Sequence, residues 1–515
     1  IALYCTEENL TEKTMDKRTF LKNAGLVGLA APLAFTHLRS AVAAVDGKSP
    51  MEVAADEDFW RSVRSDYSIK PDYINLENGY YCFMPQETLE HQIQHMRRVN
   101  YEGSYYMRNS RQKNKRLVAA RIGEVVGCSA DEIAITRNTT ESLDLVIGGM
   151  NWEEGDEAVM AEQDYGAMLN HFELVARRFG VVNKRVSVPN HPKNDEEIVD
   201  LYASAITDKT RLLMVCHMIN ITGQVLPIRK ICDMAHARGV EVMVDGAHAY
   251  SHIDFRMSDL DCDYYGTSLH KWLSAPLGSG MLYVRKDKID NVWPLLAAGD
   301  LDANDIRRLN HIGTDPVHVD LGIINALEYQ QALGLKRKEA RLKYLQQYWT
   351  SQLRGWPRVI INTPADVNRH GGIGNVGIEG YDPTELADTL MRDYRIFTVG
   401  INRPGVVGLR ITPNIYTTPA ELDALVAAIK VECLKGIRDS ARLTLLVKRT
   451  NRPEWTELML LMREVVGAWR IRAVDRLLPE FREVDVQVVF QRSFPRVHRA
   501  SYKAGRGPGN TCFSL

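Results

Sequence analysis

Between residues 133 and 284 the chain alternates short apolar runs with longer helix-like stretches. Ile133-Ala134-Ile135-Thr136, Ala158-Val159-Met160, residues 181–188, residues 210–217 and Val242-Met243-Val244-Asp245 are the runs. Apolar residues on consecutive positions suit strands buried on both faces, as in parallel sheets. Residues 143–150 and 228–238 read as helices between them, and Gly239 stops the second. The alternation predicts an α/β fold: a mostly parallel sheet with helices on both faces. Upstream, residues 59–67, 87–99 and 115–126 read as helices. Residues 73–81 read as a short strand entering a glycine turn. Residues 101–109, aromatic and glycine-bearing, read as a substrate-side loop around Arg108.

Residues 321–353 read as a long helix broken near Gly334. Strands at 359–361, 374–378 and 406–412 and helices at 383–394 and 419–433 follow, an α+β pattern of a smaller domain. The organisation expected is an N-terminal extension (1–44), an N-terminal segment and large domain (45–330), a small domain (331–435) and a basic extension (436–515).

The 515 residues allow a large core and more than one domain. A net charge of −1 points to neither nucleic acid nor an anionic membrane as partner. That balance hides a basic tail, with 15 Lys+Arg against 8 Asp+Glu from Gly436 on. Residues 455–478 of the tail could form an amphipathic helix, and residues 493–515 read as disordered. The eight cysteines form no Cys-x-x-Cys pair, so no metal site is expected. Near the start, Lys17-Arg18 precedes the apolar stretch 24–35, and Ala41-Val42-Ala43 is a small-x-small cleavage pattern. This resembles a twin-arginine-type signal, with Lys-Arg for Arg-Arg, and implies export to the periplasm; the plain reading is an amphipathic helix. The stretch is too short for a stable membrane span.

The candidate chemistry gathers after strand ends, where open α/β sheets place ligands. Ser268-Leu269-His270-Lys271-Trp272 runs on to Gly278-Ser279-Gly280, and Asp245 ends an apolar strand upstream. Lys271 taken alone is a loop lysine. With Asp245, which could keep a pyridine nitrogen protonated, it becomes a candidate to carry pyridoxal phosphate as an imine. Thr139 and Thr140 stand at a strand-to-helix turn. They are either an N-cap and first turn or an anion cradle.

Asp245-Gly246-Ala247-His248 followed by Ser268-Leu269-His270-Lys271 resembles the class V aminotransferase group of pyridoxal-phosphate enzymes. The stretch from His270 to Ile289 is most similar to the isopenicillin N epimerase-like subgroup. The resemblance spans roughly residues 73–433 and implies the fold-type I architecture. It implies that Lys271 carries the cofactor and acts as base, with Asp245 at the ring nitrogen and His248 touching the ring or its oxygen. Thr139, Thr140, Ser268 and His270 would contact the phosphate, Tyr165 would cover the ring, and Asn220 would meet the phenolic oxygen. Thr314, after Gly313, would reach the phosphate of a neighbouring subunit, which implies a homodimer. Arg410 would hold a substrate carboxylate, with Tyr80 and Arg108 on the substrate side. The small-molecule substrate would be an amino acid, and the reaction epimerisation or transamination. C–S lyase chemistry by β-elimination and a non-catalytic binding protein are the alternatives. Cysteine desulfurases of this group carry a nucleophilic Cys shortly before the Leu409-Arg410-Ile411 strand; residues 396–409 contain none.

Overall fold

The computed structural model describes residues 35–435 and two short paired strands, Thr444–Leu446 and Cys512–Ser514. The Lys17-Arg18 part of the expected leader and the helix expected at 455–478 lie outside the described residues.

In chain order the strands are β1 Ile74–Asn75, β2 Ile133–Thr136, β3 Glu157–Ala161, β4 Val182–Val186, β5 Thr210–Cys216, β6 Glu241–Asp245, β7 Tyr264–Ser268, β8 Gly280–Val284, β9 Val359–Ile361, β10 Gly374–Ile378, β11 Ile396–Phe397, β12 Val399–Arg403 and β13 Val406–Ile411. Seven of them form one sheet in the order β2-β8-β7-β6-β5-β3-β4, in which β8 alone runs against its neighbours. Its strands are buried on both faces because successive side chains enter different cores. Val159, Leu213 and Val242 pack on one side, and Met160, Leu212 and Met243 on the other. The fold is therefore the expected α/β type.

A four-stranded antiparallel sheet, β12-β13-β10-β9, packs with helices Pro383–Tyr394 and Pro419–Lys435 around a separate core. The helices His318–Leu333 and Leu335–Ser351 join the two sheets, broken at Gly334 in a positive-φ conformation.

Three differences from the sequence reading bear on the site. Residues 101–109 are helical, not a loop: Gln86–Glu102 and Ser104–Asn109 are separated only by Gly103. Tyr106 turns into the core while Tyr101 and Tyr105 face water, so the aromatics do not share one face. The strand expected over 73–81 shrinks to β1, which pairs in parallel with β11 as a separate two-stranded sheet. Residues beyond it bridge the two sheets. The Asn78 amide donates to Thr412 Oγ1 (2.6 Å), and the Cys82 amide donates to the carbonyl of His270 (3.3 Å). Third, the Ala41-Val42-Ala43 pattern lies within the helix Thr36–Ala44. Phe35 and Leu38 beside it are buried, and the Phe35 ring meets Tyr329 edge-on at 5.3 Å. A cut after Ala43 would remove both from the core.

Candidate active site

The parallel strands β5, β6 and β7 end side by side, with Cys216 opposite Asp245 and Asp245 opposite Gly266. The turns after them carry Asn220, His248 and Lys271. Lys271 sits in a tight turn closed by Ser274 N–H to its carbonyl (2.8 Å), with Ser274 in the left-handed region. Its Nζ lies 3.1 Å from Nε2 of His248. Burial pushes the Lys271 ammonium down to about 8, Arg410 adds to this, and Asp245 opposes it. Burial also drives His248 well below the ordinary histidine range, so its ring is neutral.

Asp245 is buried, and its Oδ1 accepts from the Ala247 amide at 3.0 Å. Burial raises its carboxyl, opposed by the Ala247 amide and by the charge of Lys271. Asn220 Oδ1 is buried with no hydrogen-bond partner. An Asn amide can present either its oxygen or its NH2 at one place. This orphan suits a ligand oxygen.

The helix Thr139–Gly149 follows β2. Its N-cap is Asn138, whose Oδ1 accepts from Glu141 N–H at 2.9 Å, so Thr139 is not the cap. Freed from capping, Thr139 turns to β7: its amide and hydroxyl contact Ser268 Oγ at 2.9 and 2.8 Å. Thr140 is half-buried in the same first turn. A Cβ at Gly280 would lie 2.6 Å from Asn138 N, so only glycine lets β8 approach this turn so closely. Hydroxyls beside a helix N-terminus make an anion site. His270 is half-buried, bonded through Nδ1 to the Ser279 carbonyl (3.2 Å) and pushed down to about 4 by burial. Tyr165 precedes the helix Gly166–Phe179 and is 46% exposed, leaving its ring available to a ligand.

Arg410, on β13, is not free. Its Nε and Nη2 make a two-pronged ion pair with Glu77 (3.2 and 2.5 Å), and both side chains are nearly buried. A Cβ at Gly79 would meet the guanidinium carbon at 2.9 Å, so glycine lets the fork lie flat against the backbone. Sequence reasoning missed Glu77, whose partner is 333 residues away. Tyr80, the next residue after Gly79, is 75% exposed. Arg108 is exposed on the helix Ser104–Asn109, and among the described contacts none joins it to these residues. Thr314 is exposed on a turn braced by Arg111, which donates to the Gly313 carbonyl at 2.8 Å. Among the described residues no cluster suited to a metal ion occurs.

The set fits pyridoxal phosphate: a half-buried lysine of lowered pKa, a buried carboxylate at a strand end, an orphaned amide and an anion-receiving helix start.

The class-V aminotransferase family model matches residues 85–400. The isopenicillin N epimerase of Streptomyces clavuligerus is 28% identical over 72% of this chain and 97% of its own length. A cysteine desulfurase of Escherichia coli (strain 536) is 30% identical over 63% of this chain and 82% of its own. Among solved structures, the apo cysteine desulfurase of Thermococcus onnurineus NA1 superposes with a TM-score of 0.64 at 20% identity, covering 73% of this chain and 98% of that one. The cystine C–S lyase C-DES with its product cysteine persulfide gives 0.63 at 21% identity, over 70% and 97%. These last two share the fold. With the family model spanning more than half of its length, the chain belongs to the class-V aminotransferase family.

Proposed function

We propose that this pyridoxal-phosphate enzyme removes the α-proton of an amino acid and ends in epimerisation or transamination. The observation that carries the reading is the Lys271 amine, within reach of the Asp245 charge and poised at about 8. When bound, the cofactor draws electrons from the α-carbon and acidifies its proton. Lys271 Nζ takes and returns that proton, since its lowered pKa leaves a usable fraction unprotonated near neutrality. Thr139, Thr140, Ser268 and His270 would hold the phosphate, Asp245 the ring nitrogen, Asn220 and His248 the phenolic side, and Tyr165 would lie over the ring. Glu77 occupies the Nε–Nη2 edge of Arg410, so the Nη1–Nη2 edge is the one offered to a substrate carboxylate.

Transfer of sulfur to a protein thiol fits poorly. Residues 396–409 contain no cysteine. Cys82, which feels the charge of Lys271, is fully buried, donates to the Asn78 carbonyl (3.2 Å) and is pushed up to about 12. The identity to cysteine desulfurases favours one second reading, β-elimination from a sulfur amino acid, which needs Lys271 but no thiol. Incubation with L- and D-amino acids in deuterated water tests both. Exchange with inversion or keto-acid formation supports the first; release of sulfide or persulfide with pyruvate supports the second. No exchange with any amino acid would reject both.

A homodimer in which Thr314 completes the neighbouring phosphate site belongs to this proposal. Thr314→Ala should loosen cofactor retention, and a monomer by light scattering would overturn it. Export by a leader also belongs to it. N-terminal sequencing of the native protein should find the Lys17-Arg18 segment removed; a native protein that retains it would reject a removed leader.

A further inference from the structure

Lys271 is followed by Trp272, whose side chain is fully buried. The Trp272 indole Nε1 donates to Nδ1 of His248 at 3.2 Å. Its ring lies 4.0 Å from that of His252, tilted by 51°. Its carbonyl is held by the buried Nζ of Lys338, which also donates to Gln330 Oε1 (3.0 Å). Trp272 is thus clamped at ring and backbone, and its one polar hydrogen points at His248.

An indole N–H donates and never accepts. Nδ1 of His248 must therefore be the acceptor, and a neutral imidazole then carries its proton on Nε2. Nε2 is the atom 3.1 Å from Lys271 Nζ. A donor aimed at Nζ favours the neutral amine, which accepts, over the ammonium, which cannot.

We infer that Trp272 is a positioning residue for Lys271: its indole N–H fixes the tautomer of His248, so that the imidazole presents a hydrogen-bond donor to the lysine nitrogen. The inference rests on Lys271 being the reactive lysine. The other charged or titratable groups acting on it are Asp245, Arg410, Cys82 and Glu77, and Trp272→Phe alters none of them.

The test uses apoenzyme mixed with pyridoxal phosphate, following the absorbance of the covalent adduct from pH 6 to 10. Titration of free cofactor is common to all variants and cancels. In wild type the loading rate should reach half its plateau near the pKa of Lys271, about 8. In Trp272→Phe the imidazole can place its proton on Nδ1 and accept from the ammonium. The half-point should then rise by about one pH unit, making loading about tenfold slower at pH 7. In a His248→Ala background the same substitution should add nothing. An unmoved or lowered half-point, or an equal shift without His248, would overturn the inference. A reduced adduct on a lysine other than Lys271 would overturn the reading beneath it instead. Should Trp272→Phe not fold, 15N-histidine spectra of unaltered apoenzyme decide: a proton on Nε2 of His248 is expected, and one on Nδ1 sinks the proposal.

Discussion

Two lysines in this molecule are shifted to the same effect. Lys271 and Lys338 are both pushed down to about 8, in each case chiefly by burial. Lys271 faces a histidine nitrogen at 3.1 Å. Lys338 is spent on the Trp272 carbonyl and a glutamine oxygen. A lowered pKa therefore does not mark a reactive lysine. The partner does: a lysine whose donors are consumed by fixed carbonyl oxygens is a strut, and one facing a switchable ring nitrogen is a base.

Removing Lys271 breaks the comparison most severely. Lys271→Ala should abolish the covalent adduct and cost at least about 100-fold in turnover, the usual contribution of a positioned base. Borohydride reduction and peptide mapping check this, and an adduct on Lys338 would erase the distinction.

Arg410→Ala comes next. It removes one partner of a nearly buried pair and should lower kcat/KM by about 30- to several-thousand-fold, corresponding to about 2–5 kcal/mol. The adduct absorbance should persist. Arg410→Lys should recover part of the loss, since an ammonium has no planar fork. Because Glu77 would be left unpaired, the Glu77→Gln/Arg410→Ala pair should unfold at higher denaturant than Arg410→Ala alone.

Lys338→Met sharpens the contrast from the other side: the adduct on Lys271 should still form. The change should appear in stability against pH. The folded Lys338 is depressed from 10.5 to about 8, so between those values the unfolded chain binds a proton that the folded protein has released. Stability contributed by this group therefore rises with pH across that window and is smallest below it. Relative to Lys338→Met, wild type should gain up to about 3 kcal/mol between pH 8 and 10.5, read by urea denaturation at each pH. The Lys271 shift is common to both proteins and cancels.

The smallest effect belongs to Cys82, the buried thiol near Lys271. Cys82→Ser should leave turnover within about twofold, because the protonated thiol only donates to a carbonyl. Loss of activity would revive thiol chemistry.

Lys271, Asp245 and His248 could be read from the chain because each ends or follows a strand of one sheet, within a single short stretch of sequence. The strand β7 beside them was not legible. Tyr264-Tyr265-Gly266-Thr267-Ser268 is buried throughout and has no alternation to reveal it. Glu77 and Trp272 were missed for another reason. Their roles depend on which nitrogen of a distant Arg410 or of His248 they meet, and no local pattern encodes that. Asn138 supplies the cap that the threonines could have made: its Oδ1 accepts from Glu141 N–H, which leaves their hydroxyls free of that role.

The bridge from Thr412 through Asn78 to Cys82 and His270 carries a consequence for assembly. Its hydrogen bonds to Thr412 join residues 334 apart in sequence. The last strand of the seven-stranded sheet ends at Val284, so that sheet and Lys271 are complete in the nascent chain well before Arg410 is made. The arm that would grip substrate closes last, and long-range pairings of this kind form slowly. On refolding, cofactor absorbance should recover before turnover does; simultaneous recovery in stopped-flow and activity time courses would contradict that order.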